Sequence, residues 1–352
     1  MNVTIKDVAK LAQVSISTVS RVINGAPNIT PEIRQKVEKA IAQLRYKPNI
    51  IAQSLGSGRL KNIAVVLARS SQLAFVNPYF TIMFQGLGSV IENSDYEVLL
   101  TLAEDEKTEV DKCMSLIDAG SIQGVILLGS RVYDKLINKL IEIKFPFVLI
   151  GRVLKDAIPE GAQINHVDTD SINDSMAAVS YLISQGHRRI GCVHAPLKYV
   201  VSQDRYSGYC IALRHAEIPV DDSIIVDGGY SWQDAEKAAR IILQQKNPPT
   251  AIFATDDLKA IGVMKAAYSL GLKVPEDLSI MGHNDYDFAQ MVEPPLSTVR
   301  VPIYELGKVA AEIMLEQIKN PGHPPKQVIL PTQLVIRNSI IKKDNSCTMK
   351  KL

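Results

Sequence analysis

The chain has 352 residues, 46% hydrophobic and 22% charged, the make-up of a globular protein long enough for two or three domains. Its formal net charge is only +2, yet residues 1–62 hold ten Lys/Arg against Asp7, Glu32 and Glu38, an excess of seven that leaves the remainder five negative. That asymmetry points to a polyanion partner for the first sixty residues, and the lack of any run near 18 apolar residues excludes a membrane-spanning helix.

In chain order, residues 1–45 read as three short helices. Thr4 with Asp7 three residues later forms a capping box that opens "IKDVAKLA". Lys6, Asp7 and Lys10 interrupt the apolar residues here, so a signal peptide is not expected. Gln13-Val14-Ser15 makes a tight turn, Ser15 caps a second helix over 16–24, and Gly25 stops it. Thr30-Pro31-Glu32 starts a third helix that runs to about Leu44. Two helices across a three-residue turn, closed by a third, are a helix-turn-helix unit. On the second helix Val19, Val22 and Ile23 share one face, while Ser17, Ser20, Arg21 and Asn24 share the other. Residues 46–60 follow as hinge and linker. Asn49 can cap a helix over Ile50 to Leu55 that Gly56 and Gly58 end, too short to be stable by itself.

From Asn62 the pattern changes. "NIAVVLA", "YEVLLTL", "GVILLG", "FPFVLIG", "NHVDTD", "RIGCVHA", "SIIVDGG", "TAIFATD" and "LSIMGHND" are short apolar runs separated by helical stretches. This alternation predicts parallel sheets covered on both faces. Nine such strands exceed one compact doubly wound domain, so two subdomains are expected, with a ligand in the crevice facing the carboxyl ends of the strands. Residues 341–352 lack periodicity and read as a disordered tail.

Few motifs suggest catalysis. "GLGSVI" at Gly86 to Ile91 lacks a third glycine and lies inside a helical run, so it is not a nucleotide loop. There is no Walker sequence, GxSxG or HExxH, and the six histidines are scattered. Cys113, Cys192, Cys210 and Cys347 have no CxxC and no metal-ligand spacing, as expected of reduced thiols in a cytoplasmic protein. No catalytic site, metal or cofactor is expected.

The most specific stretch is "TIKDVAKLAQVSISTVSRVING…ITPEIRQKVEKAIAQLRYKPN…AQSL". It resembles the DNA-binding headpiece of the lactose/galactose repressor (LacI/GalR) family over residues 3–55. "NPYF" at 77–80, "QGHRRIG" at 185–191, "DRYSGY" at 204–209, "AIFATDDLKAIG" at 251–262, "VPEDLSIMGHND" at 274–285 and "PPLSTVRVP" at 294–302 stand in the family's order. The resemblance extends to about Ile340. It implies a small all-α helix-turn-helix headpiece on an α/β core of two doubly wound parallel-sheet subdomains, like a periplasmic binding protein. The expected core spans 61–340, with an N-subdomain of about 61–161 and 291–321 and a C-subdomain of about 162–290 and 322–340.

What the resemblance implies for function can be placed residue by residue. The second helix lies in the major groove, where Ile16, Ser17 and Arg21 read bases, Arg21 suiting guanine and Ile16 a thymine methyl. Thr4, Ser15, Thr18, Ser20, Asn24, Asn28 and Thr30 suit phosphates, although each serine taken singly is equally a helix cap. Tyr46 and Asn49 join the DNA contacts. Paired hinge helices in a dimer enter the minor groove, where Leu55 wedges a base step beside Ala52 and Gln53. In the core crevice the resemblance assigns the effector to Arg205, Asp256 and Asn284, with Tyr79, Phe80 and Tyr230 as walls. Asp257 is left to cap the next helix. Asn284 stands where many members carry Asp, which removes one charged acceptor. Arginine, carboxylate and aromatic faces together suit a sugar.

The reading is therefore a cytoplasmic, homodimeric repressor of carbohydrate-use genes. Its partners are double-stranded operator DNA and a small sugar effector, with no membrane. The alternatives are the same fold with a corepressor (a purine or a phosphoprotein) and an exported sugar-binding protein. The basic headpiece and the missing signal peptide speak against export.

Overall fold

The computed structural model describes residues 3–23, 26, 28–44, 46, 60–67, 75–103 and 105–343. The chain divides into two compact units, Met1–Leu60 and Lys61–Leu352. In the first, α1 (Ile5–Ala12), α2 (Ile16–Ile23) and α3 (Pro31–Leu44) enclose Val8, Ala9, Ala12, Val19, Val22, Val37 and Ala40. The Thr4 N–H and hydroxyl both donate to the Asp7 carboxylate, at 2.9 and 2.7 Å, which fixes the start of α1. Gln13 takes the left-handed conformation (φ 55°) that turns the chain, and Ser15 Oγ accepts from the Thr18 N–H at 3.1 Å to open α2.

The second unit holds two parallel sheets. The first runs in the order β11-β5-β4-β3-β1-β2, from β1 (Asn62–Leu67), β2 (Glu97–Leu102), β3 (Gly124–Leu128), β4 (Phe147–Ile150), β5 (Asn165–Asp168) and β11 (Gln327–Ile329). The second runs β7-β6-β8-β9, from β6 (Ile190–His194), β7 (Ile225–Asp227), β8 (Ala251–Ala254) and β9 (Ser279–Met281). β10 (Thr298–Arg300) pairs antiparallel with β12 (Gln333–Val335). Strands β3, β4, β6 and β8 are buried along their whole length, because helices cover both faces. The helices are α4 (Pro78–Ile91), α5 (Glu106–Asp118), α6 (Lys135–Glu142), α7 (Ser171–Ser184), α8 (Val200–His215), α9 (Trp232–Leu243), α10 (Asp257–Ser269) and α11 (Ile303–Lys319).

Glycines set how closely these helices pack. A Cβ on Gly86 of α4 would lie 2.0 Å from Tyr304 O, and one on Gly307 of α11 would lie 2.2 Å from Met83 O. The "GLGSVI" glycine thus serves helix–helix contact. Gly208 against Ile172 O (2.3 Å) and Gly262 against Trp232 O (2.4 Å) do the same for α8 on α7 and α10 on α9.

Three boundaries differ from the sequence expectation. β5 and β11 belong to the first sheet, not with the C-subdomain. Residues 298–300 belong with the second, since Val299 packs with Cys192, Phe253 and Met281, while Ile303 onward returns to the first. The reason is that β10 and β11 are three residues long, and their pairing comes from distant strands rather than from a local pattern. Residues 341–343 are not a loose tail: the Ile341 N–H donates to Ser279 Oγ at 3.1 Å and the Lys343 N–H to Gln185 O at 2.7 Å.

Candidate functional site

In the headpiece α2 presents a polar face. On α2, Val19 and Val22 are buried, while Ser17 and Arg21 are exposed and Ile16 keeps 45% of its surface in solvent. An exposed isoleucine at the helix N-terminus and an exposed arginine in its last turn suit the base edges of a groove. Ser15 Oγ also shares hydrogen bonds with Ser17 Oγ (2.7 Å) and Thr18 Oγ1 (2.8 Å), so these hydroxyls are preorganised at the positive end of α2. Thr4, Asn28 and Thr30 are exposed, and Thr18 and Ser20 are half-buried. Tyr46 packs against the helical core. Asn24, Asn49, Ala52, Gln53 and Leu55 lie outside the described residues.

In the second unit a cleft with about 910 Å³ of space, part of it open solvent, faces the carboxyl ends of both sheets. Tyr79, Phe80, Arg205, Tyr230, Asp256 and Asn284 all line it. Arg205, on α8, is 8% exposed; it donates to Thr255 O at 2.6 Å and to Asn284 Oδ1 at 3.0 Å. The Asn284 amide donates to Asp256 Oδ2 at 2.9 Å and to the Tyr286 hydroxyl at 2.8 Å, and that hydroxyl reaches Asn77 Oδ1 at 2.8 Å. Asn284 sits at φ +118°, a strained backbone held by these contacts. Tyr79 and Phe80 meet edge to face at 5.6 Å and supply an apolar wall.

The two aspartates exchange their expected roles in part. Asp256 is the helix cap, its Oδ1 accepting from the Leu258 N–H at 2.8 Å, while its Oδ2 faces the cleft network. Asp257 does not cap. It is fully buried, accepting from Thr298 Oγ1 at 2.6 Å and the Tyr286 N–H at 3.0 Å, and so ties α10 to β10.

The cleft also contains polar groups the sequence reading did not single out: Asn77, Arg152, Asp168, Asp204 and Lys259. Arg152 follows β4 and Asp168 ends β5, so the strand-end rule was the available signal. Burial, with Asp204 nearby, pushes the Asp168 carboxyl up to about 7, against the Thr169 N–H, Arg152 and Arg205, which all lower it. Burial likewise raises Asp257 to about 7.

A carboxyl raised on folding contributes stability that is complete below its unfolded value near 4 and is lost as pH rises through about 7. Asp168→Asn keeps an acceptor for the Thr169 N–H but cannot ionise. Its melting temperature is therefore expected to gain on that of the native protein by about 2–4 °C or more between pH 5 and pH 8. A difference that stays constant over that range in calorimetry would contradict the assignment.

Both units are similar to known proteins. Residues 4–49 match the lacI family of bacterial regulatory proteins, and residues 179–340 match the periplasmic binding protein-like domain. The ribose operon repressor of Haemophilus influenzae is 32% identical over 343 residues, covering 96% of this chain and 98% of its own length. A solved complex of the transcriptional regulator CelR with cellobiose is 30% identical with a TM-score of 0.74, covering 96% of this chain and 99% of that one. A LacI family transcriptional regulator from Enterococcus faecium with bound ribose is 26% identical with a TM-score of 0.70, covering 81% of this chain and 100% of that one.

Proposed function

The chain belongs to the LacI family of bacterial transcriptional regulators, and from that premise we propose that a small sugar bound in its cleft releases the headpiece from operator DNA. It is a DNA-binding regulator and not an enzyme. The observation that carries the sugar reading is the run Arg205–Asn284–Asp256–Tyr286–Asn77, which sets directional donors and acceptors beside the Tyr79 and Phe80 rings. Sugar hydroxyls need such directional partners, and sugar C–H faces need such rings. Relatives in complex with cellobiose and ribose support the same class.

In this reading Ile16, Ser17 and Arg21 read base edges, and Thr4, Ser15, Thr18, Ser20, Asn28 and Thr30 position the phosphates. The protein acts as a homodimer in the cytoplasm, where its operator is. Among the described residues no helix is long and apolar enough to cross a membrane.

The test joins two measurements. Thermal shift with a panel of pentoses, hexoses, disaccharides, nucleosides and purines identifies the ligand. Fluorescence anisotropy on DNA selected by the protein from random sequence gives its effect. A sugar that raises the melting temperature and weakens DNA binding is expected. A purine or nucleoside that stabilises the protein where no sugar does would overturn the sugar class, and a ligand that tightens DNA binding would reverse the sign.

A further inference from the structure

The two subdomains meet across the cleft through contacts of their own. On one rim the loop after β3 pairs with the loop before α8. The Val132 N–H donates to Lys198 O at 3.0 Å and the Val200 N–H to Ser130 O at 3.1 Å, so that Arg131 and Tyr199 face each other as an antiparallel bridge. Deeper in the cleft Arg152, from the end of β4, grips the Asp204 carboxylate on α8 through Nε (2.8 Å to Oδ2) and one terminal nitrogen. The Ser130 hydroxyl donates to Arg152 O and links rim and ion pair.

Both sides of the rim are braced. Arg131 reaches Glu109 on α5 at 2.7 Å and Asp134 at 3.6 Å, and Asp134 also accepts from the Arg131 N–H at 3.2 Å while capping α6. Opposite, the Tyr199 ring meets Tyr230 at 6.4 Å, with Lys198 Nζ 5.4 and 5.9 Å from the two ring centres. Two parallel donors from one guanidinium to one carboxylate make a geometrically specific pair. Asp204 is buried while the Arg152 side chain is 35% exposed, so solvent screens the pair from the arginine side only.

We propose that the Arg152–Asp204 pair and the 130–132/198–200 bridge are a built-in latch, so that the core closes by its own contacts and the effector acts on an equilibrium already biased toward closure. Each contact joins one protein group from either subdomain. A ligand shifts such an equilibrium only by its differential affinity for the two forms, and the latch sets the starting population. The regulatory consequence rests on the cleft being the effector site; the latch itself is tested without effector.

The experiment is residue-resolved amide hydrogen exchange on the full-length protein with no added ligand. The Val132 and Val200 amides are expected to exchange slowly, and in Asp204→Asn and in Arg152→Gln at least about tenfold faster. Amides in β1 and β8 serve as fold controls and should keep their rates. Exchanging the partners, Arg152→Asp with Asp204→Arg, should restore slow exchange at both amides. Glu109→Gln, outside the cleft, should loosen the same two amides from the N-subdomain side, and it decides the question if a cleft variant also loses protection in β1 and β8. Unprotected Val132 and Val200 amides in the native protein, or rates unchanged in every folded variant, would overturn the latch while leaving the sugar reading untouched.

Discussion

Replacing Arg205 with alanine is expected to lower the affinity for effector at least a hundredfold while leaving operator binding without effector unchanged. The guanidinium is buried, and its loss strands Thr255 O and Asn284 Oδ1 at the cleft floor. Hydrogen bonds to a charged group are worth about 1.5–3 kcal/mol each, so a loss of about 3–6 kcal/mol in stability should accompany the loss of binding. For a core of this size that corresponds to a fall of very roughly 5–15 °C in melting temperature. Arg205 lies on α8 and no headpiece atom changes, so anisotropy on the operator should show native affinity and a flat effector titration. An effector titration like that of the native protein would remove Arg205 from the site. Asp256→Ala should give a milder version, since the carboxylate divides itself between the α10 cap and the cleft.

Arg21→Ala should reduce operator affinity by about 10- to 100-fold, or about 1–3 kcal/mol, and relax the preference at one base pair. Arg21 is exposed on α2, opposite the buried Val19 and Val22, so the headpiece should keep its stability. Lys6 and Lys36 are also exposed, and their replacement by alanine should weaken operator and random DNA alike and reduce the salt slope by about one each. Binding curves at several salt concentrations separate the two behaviours. Equal losses on operator and random DNA for Arg21→Ala would show a phosphate contact instead of base readout.

The sequence by itself determined the headpiece and the first nine strands. Caps and periodicity are local, so Thr4 with Asp7, Ser15 and Thr30-Pro31 mark the starts of α1, α2 and α3. The runs from "NIAVVL" to "SIM" fall in β1 to β9, and β3, β4, β6 and β8 are buried throughout because both of their faces are covered. It also carried the family motif, and with it the six cleft residues Tyr79, Phe80, Arg205, Tyr230, Asp256 and Asn284.

Only the tertiary structure decided the rest. Strands β10, β11 and β12 are three residues each, and partners far along the chain define them. One aspartate caps α10 and its neighbour is buried because Thr298 and the Tyr286 N–H come from a distant segment to meet Asp257, which no i, i+3 spacing announces. The cross-cleft pairs are further still: Arg152 and Asp204 are 52 residues apart, and Asn77 and Tyr286 are 209 apart. Local sequence fixes which groups stand at strand ends, but which of them face one another follows from how the chain passes three times between the two sheets, and that is a property of the folded whole.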